Sequence, residues 1–83
     1  MNKILLSAKE GRNFVIFLER TRDAKVTREE DEVVVHLEDV SIFVTVHPLR
    51  RTSENTEISC SDEVLMGKIL NEFALWKSNG QEE

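Results

Sequence analysis

The sequence lacks most features of secreted and membrane-spanning proteins. Its 83 residues include one cysteine, Cys60, so it cannot form an internal disulfide, which favours a reducing compartment. No apolar run approaches the roughly 20 residues that span a bilayer. The apolar N-terminus is interrupted by Lys9, Glu10 and Arg12 too early for a signal peptide. We therefore expect a cytoplasmic protein with no membrane association.

Motifs for catalysis, nucleotide binding and metal binding are also missing. There is no glycine-rich phosphate loop, no nucleophile elbow and no zinc-protease motif. The two histidines, His36 and His47, are expected on the order of 20 Å apart in extended strands. Cys60 has no second cysteine at a spacing typical of zinc ligands. We expect a non-catalytic protein with no cofactor, no metal site and no small-molecule substrate.

The sequence has fewer positively charged than negatively charged residues. Lysine and arginine number 11 against 16 aspartates and glutamates, which gives a formal net charge of −5. This balance argues against sequence-independent nucleic-acid binding, which depends on neutralising phosphates. It favours basic partners, such as the positively charged channels of nucleic-acid enzymes, although solubility is the simpler explanation.

What the sequence does contain is a segment, residues 32–48, that determines its own strand register. With Glu38 and Asp39 at a hairpin tip, Val35 pairs with Ile42 and one face becomes uniformly aliphatic. The opposite face then carries Val34, His36, Ser41, Phe43 and Thr45. A shift of one residue would place polar side chains among the valines, so the register is strongly predicted.

A second turn supports the same core face. The turn contains four consecutive acidic residues: Glu29, Glu30, Asp31 and Glu32. It joins the hairpin to a short predicted strand over residues 24–28. Pairing Arg28 with Val33 places Val26 opposite Val35 and extends the aliphatic face. Two independent turns therefore indicate the same side as core.

The C-terminal part has the clearest helical pattern, over about residues 62–79. Its apolar side chains fall within one arc of a helical projection: Leu65, Met66, Ile69, Leu70, Phe73 and Trp76. We expect Ser59 or Ser61 to cap this helix and Gly80 to end it. The apolar arc should cover the aliphatic face of the sheet.

The segment before this helix is predicted to be a loop and a short strand. Pro48 ends the second hairpin strand because it cannot donate to a ladder hydrogen bond. Residues 50–55 are polar and predict a loop. Residues 56–60 predict an edge strand with Ile58 and Cys60 facing inward.

The N-terminal third allows two interpretations. We favour strands over residues 3–8 and 13–20, joined by a turn at residues 9–12. The segment 14–18 is dense in aromatic and β-branched residues, and Gly11 would weaken a helix. The alternative is a helix that starts at Ser7, because Ser7 and Glu10 fit a capping box.

These elements predict a single α+β domain over residues 1–80, followed by a solvated tail at residues 81–83. The domain is an antiparallel β-meander of four to six strands covered on one face by a single C-terminal α-helix. Its second sheet face has no cover, so we predict a partner interface at Val34, His36, Phe43, Val64 and Leu75. The partner is a second copy, giving a homodimer, or another protein. The alternative is a barrel-like curl that internalises both faces.

Charged residues suggest two further contact sets. An acidic contact with a basic groove is predicted at Glu29, Glu30, Asp31 and Glu32, with Glu38 and Asp39 at the next tip. An alternative nucleic-acid contact comprises Arg20, Arg22, Lys25 and Arg28, with Arg50 and Arg51. It would need Phe14 or Phe43 exposed for base stacking, and it assumes that Arg20 and Arg22 share a strand face. Local ion pairing with neighbouring acids is the simpler account of these bases.

The leading hypothesis is a small non-catalytic interaction or regulatory protein that acts through protein–protein contacts, for example an acidic inhibitor or adaptor of a nucleic-acid enzyme. The first alternative is a sheet-surface module that binds single-stranded nucleic acid. The second is an assembly or structural component.

Overall fold

The computed structural model describes residues 2–47 and 54–80. In chain order the elements are β1 (Asn2–Leu6), α1 (Ala8–Arg22), β2 (Lys25–Arg28), β3 (Glu32–His36), β4 (Ser41–Val46), β5 (Thr56–Cys60) and α2 (Glu63–Ser78). The five strands form one antiparallel sheet in the order β1-β5-β4-β3-β2. The predicted α+β class, with an antiparallel sheet and a C-terminal helix, is confirmed, and α1 is an additional helix.

Several predictions fall outside this range. They concern the strand end at Pro48, the basic residues Arg50 and Arg51, most of the loop at 50–55 and the tail at 81–83, none of which belongs to the described residues.

The register of the predicted hairpin is confirmed. Val35 pairs with Ile42 in β3–β4, and the Leu37 N–H donates to the Val40 carbonyl at 2.9 Å, which closes the turn. In β2–β3, Val26 pairs with Val35 as predicted. A period of two residues with one buried face therefore sufficed to determine which side of these strands is core.

The preferred strand over residues 13–20 is wrong, and so is the turn at residues 9–12. Both segments belong to α1, whose N-cap is Ser7, as in the alternative interpretation. The Glu10 N–H donates to the Ser7 hydroxyl at 3.1 Å. Phe14, Phe17 and Leu18 are buried at helical spacing, so the dense apolar run packs as a helix face. Tertiary burial outweighed the β propensity of this run.

Gly11 is tolerated in α1 because the helix passes close to β5. A Cβ atom built at Gly11 would lie 2.8 Å from Cγ2 of Thr56, a separation that real Cβ atoms essentially never show. Thr56 is itself 2% exposed. Glycine therefore lowers the stability of the helix at this position, but it allows the helix backbone to pack directly against the sheet.

The predicted edge position of β5 is also wrong. Its inward side is as predicted, since Ile58 and Cys60 are buried. However, β5 lies between β4 and β1, with Ile58 paired to Val44 on one side and to Ile4 on the other. Because α1 carries the chain away after β1, that strand is free to pair with β5 instead of with its neighbour in sequence.

Both helices pack on the aliphatic face of the sheet and form one core with it. The Phe14 and Phe73 rings meet edge to face, with centroids 5.2 Å apart, and Phe17 lies 5.5 Å from Trp76. The cap of α2 is Asp62, which accepts from the Leu65 N–H at 3.0 Å, and not Ser59 or Ser61. An ionised cap also suits the positive helix end.

Candidate interaction surfaces

The sheet face opposite the helices, called here the outer face, is not covered by any described element. Its central strands carry the five residues predicted for it: Val34, His36, Ser41, Phe43 and Thr45. Phe43 is 41% exposed and pairs with Val34 on one side and Ser59 on the other. Leu5, at the β1 edge, is 42% exposed. The apolar side chains of the outer face therefore lie near its centre, at Phe43 and Val34, and at the β1 edge, at Leu5, with polar side chains between them.

His36 is held in place on the outer face by two hydroxyl groups. Its Nε2 lies 3.0 Å from Oγ1 of Thr27, and its Nδ1 lies 3.3 Å from Oγ of Ser41. A neutral imidazole donates through one nitrogen and accepts through the other, which both hydroxyls can satisfy. The ring thus belongs to the surface of the sheet and has fixed neighbours.

Opposite charges lie at opposite ends of the outer face on β2 and β3. Lys25 pairs with His36 at one end, whereas Glu32 begins β3 at the other. Glu32 accepts from the Thr45 hydroxyl at 3.4 Å. At the β1 edge, Glu57 lies 3.8 Å from Lys3. On β2 and β3, the positively charged residue therefore lies at one end of the outer face and the negatively charged residue at the other.

The predicted five-residue interface is divided between two surfaces. Val64 and Leu75 are 73% and 65% exposed on α2, on the side of that helix turned away from its buried residues. They lie about three turns apart on one side of the helix. Since α2 covers the aliphatic face, Val64 and Leu75 lie across the molecule from Val34, His36 and Phe43.

The acidic residues occupy opposite ends of β3. Glu29, Glu30 and Asp31 form the β2–β3 loop just before Glu32 and are exposed. Glu38 and Asp39 lie in the turn at the other end of the strand and are also exposed. This separation by one strand length is as the sequence predicted.

The predicted basic set does not assemble into one stripe. Arg20 and Arg22 lie on α1, where side chains two residues apart in sequence point about 200° apart around the helix axis, so they share no face. Arg22 donates to both carboxylate oxygens of Glu72 at 2.9 and 3.1 Å. Arg28 lies 3.9 Å from Glu19. Arg22 is therefore held in a close ion pair, whereas Arg28 makes a longer and more exposed one.

Of the two aromatic residues named for base stacking, one is buried. Phe14 is 0% exposed in the core, whereas Phe43 lies on the outer face. Of the described members of the basic set, Lys25 lies on the outer face; it is on β2, two residues from Thr27, which pairs with Val34, the cross-strand partner of Phe43.

Sequence reasoning missed an apolar groove on the helical side of the sheet. The groove has a volume of about 430 Å³ and lies between one flank of α1 and the valines of β3 and β4. Its apolar lining includes Val15, Ile16, Val33, Val44 and Val46. It was missed because residues 13–20 were interpreted as a strand, which leaves no helix flank to form the second wall.

Comparison of the chain with protein-family models, curated proteins and solved structures finds no match. Neither helix has the length and apolar character needed to cross a membrane, within the residues described. In the same part of the chain, no three or more histidine, cysteine, aspartate or glutamate side chains are grouped as metal ligands. The function must therefore be inferred from surface chemistry.

Proposed function

We propose that this is a small non-catalytic interaction protein that acts through the outer face of its sheet, and that a second copy of the chain is its first partner. The observation that carries the proposal is the exposure of Phe43 beside Val34 near the centre of a sheet face that no described element covers. An exposed aromatic side chain in the middle of a sheet face is a favourable anchor for a protein contact.

The charges of the outer face support self-association in one orientation. Consider two copies stacked face to face about a two-fold axis that runs across the strands through Phe43. Glu32 of one copy then approaches His36 and Lys25 of the other, while Phe43 meets its own equivalent. Each copy therefore offers the charge that the other lacks.

The dimensions of the sheet predict a weak dimer. Five strands about 4.8 Å apart, with four to six residues each at about 3.4 Å, give a face of about 400 Å². Stable complexes bury about 800 Å² per partner, so this interface belongs with the weak and transient ones. We expect a dissociation constant in the micromolar range or above.

The test is sedimentation equilibrium of the wild type and two variants over a range of concentrations. Phe43→Glu should leave the protein monomeric, because burying two facing carboxylates is unfavourable. Leu75→Glu is the matched control, since it changes an exposed apolar residue on the other side of the molecule. A Phe43→Glu protein that associates as strongly as the wild type would refute the proposal.

The nucleic-acid alternative has less support. Phe43 is the only aromatic residue of the outer face within the described ranges, and Lys3 is paired with Glu57. Base-stacking sheets normally combine several aromatic residues with unpaired cations. The buried, single cysteine Cys60 is compatible with the cytoplasm, where we propose that the protein acts.

A further inference from the structure

The groove beside α1 has apolar walls on two sides. Val33 and Val46 come from the sheet, Val46 being 37% exposed, and Ile16 comes from the helix. Val15 and Val44, which are 4% and 3% exposed, lie deeper. The volume of about 430 Å³ falls in the lower part of the range for small-molecule sites, roughly 300–1,000 Å³. The walls therefore suit a slender apolar group.

Among the described residues, the charged ones that line the groove are both arginines, although the protein is acidic. Arg12 is exposed and has no ion-pair partner among residues 2–47 and 54–80. Arg28 lies 3.9 Å from Glu19, and both side chains are substantially exposed, so this pair is weak. Guanidinium groups bind carboxylates through paired N–H donors. The rim of the groove therefore favours an anion.

From this combination we infer that the groove binds a monomeric single-chain amphiphile with an anionic head, of the fatty-acid class. The acyl chain lies between Ile16 and the valines of β3 and β4. The carboxylate accepts hydrogen bonds from Arg12 and Arg28, and displaces Glu19 from Arg28. The site is independent of the outer face, because it lies on the helical side of the sheet.

The test is calorimetric titration of the intact protein with dodecanoate below its micelle concentration. Dodecyltrimethylammonium, which has the same chain and the opposite charge, is the comparison ligand. We expect saturable one-to-one binding of dodecanoate. Its affinity should be about tenfold or more above that of dodecyltrimethylammonium, because only the carboxylate can accept charge-assisted hydrogen bonds from the arginines. Methyl chemical shifts should locate the ligand at Ile16, Val33 and Val46.

Variants separate the head-group contact from the chain contact. Arg12→Gln/Arg28→Gln should weaken dodecanoate binding by about tenfold or more and remove the preference over the cation. Ile16→Trp should fill the groove and prevent binding of either ligand. Val64→Trp adds the same side chain to the exposed side of α2 and should bind like the wild type. Circular dichroism verifies that each variant is folded.

Three results would overturn the inference. One is equal affinity for the two amphiphiles, and another is dodecanoate-induced shifts confined to the outer face around Phe43. The third is binding to phosphatidylglycerol vesicles without binding to monomeric dodecanoate, which would indicate a lipid surface instead. None of these results bears on self-association through the outer face, which the Phe43→Glu experiment tests separately.

Discussion

Two glycine-to-alanine substitutions, one in each helix, should have different effects on stability. Alanine is favoured over glycine inside a helix by about 1 kcal/mol. At Gly67, in α2, a Cβ atom would have nothing within 4 Å, so Gly67→Ala should stabilise the protein by about 0.5–1 kcal/mol. At Gly11 the same gain is opposed by the 2.8 Å approach to Cγ2 of Thr56.

The Gly11→Ala clash should outweigh the helix gain. Thr56 is 2% exposed in an inner strand, so its side chain cannot move aside without disturbing the core. Inserting one methyl into a packed interior costs about 1–3 kcal/mol. Gly11→Ala should therefore be neutral or destabilising by up to about 2 kcal/mol, and should differ from Gly67→Ala by about 1–3 kcal/mol.

The assay is urea unfolding at one fixed protein concentration, since any dimer makes stability concentration-dependent. With a slope of about 1 kcal/mol/M, the midpoints of the two variants should differ by about 1 M or more. Gly11→Ala/Thr56→Ser removes the offending methyl but keeps the hydroxyl that donates to Asn55 Oδ1, and should recover most of the loss. If Gly11→Ala stabilises as much as Gly67→Ala, α1 does not lie against β5.

Further predictions concern the cap of α1 and the charges of the outer face. Ser7→Ala should lower the free energy of unfolding, measured by urea unfolding, by about 1 kcal/mol, because the Glu10 N–H loses its acceptor. Ser78→Ala, in the last turn of α2, is the control and should have little effect. Equal effects of the two would argue against a capped helix at Ser7. Lys25→Glu and Glu32→Lys should each weaken self-association several-fold in sedimentation, and the double reversal should restore it. Failure of the restoration would exclude the proposed orientation of the two copies.

An element could be predicted from the sequence where its apolar residues lie on one face only, and not where they occur at every position. In β3 and β4 every polar residue falls on the face opposite Val35 and Ile42, and only one register keeps these polar side chains out of the core. The run from Phe14 to Leu18 is apolar at every position, so it satisfies both a strand and a helix period. The capping box at Ser7 was the deciding local signal, because it has no role in a strand.

The candidate surfaces were predictable to a similar degree. The alternation that buries Val35 also places Val34 and Phe43 on the outer face, so this part followed directly from the sequence. That Val64 lies on a different surface depends on how α2 docks, which is a tertiary property. The groove depends on α1 lying beside the valines of β3 and β4, and no local pattern indicates that contact.

The central claim is that the outer face of one copy contacts the outer face of another, and intermolecular nuclear Overhauser effects test it most directly. The sample mixes isotope-labelled and unlabelled protein at a concentration where sedimentation detects dimer. We predict effects between the Phe43 ring of one copy and Phe43 and Val34 of the other. Effects that fall instead on Val64 and Leu75, with none at Phe43, would contradict the account.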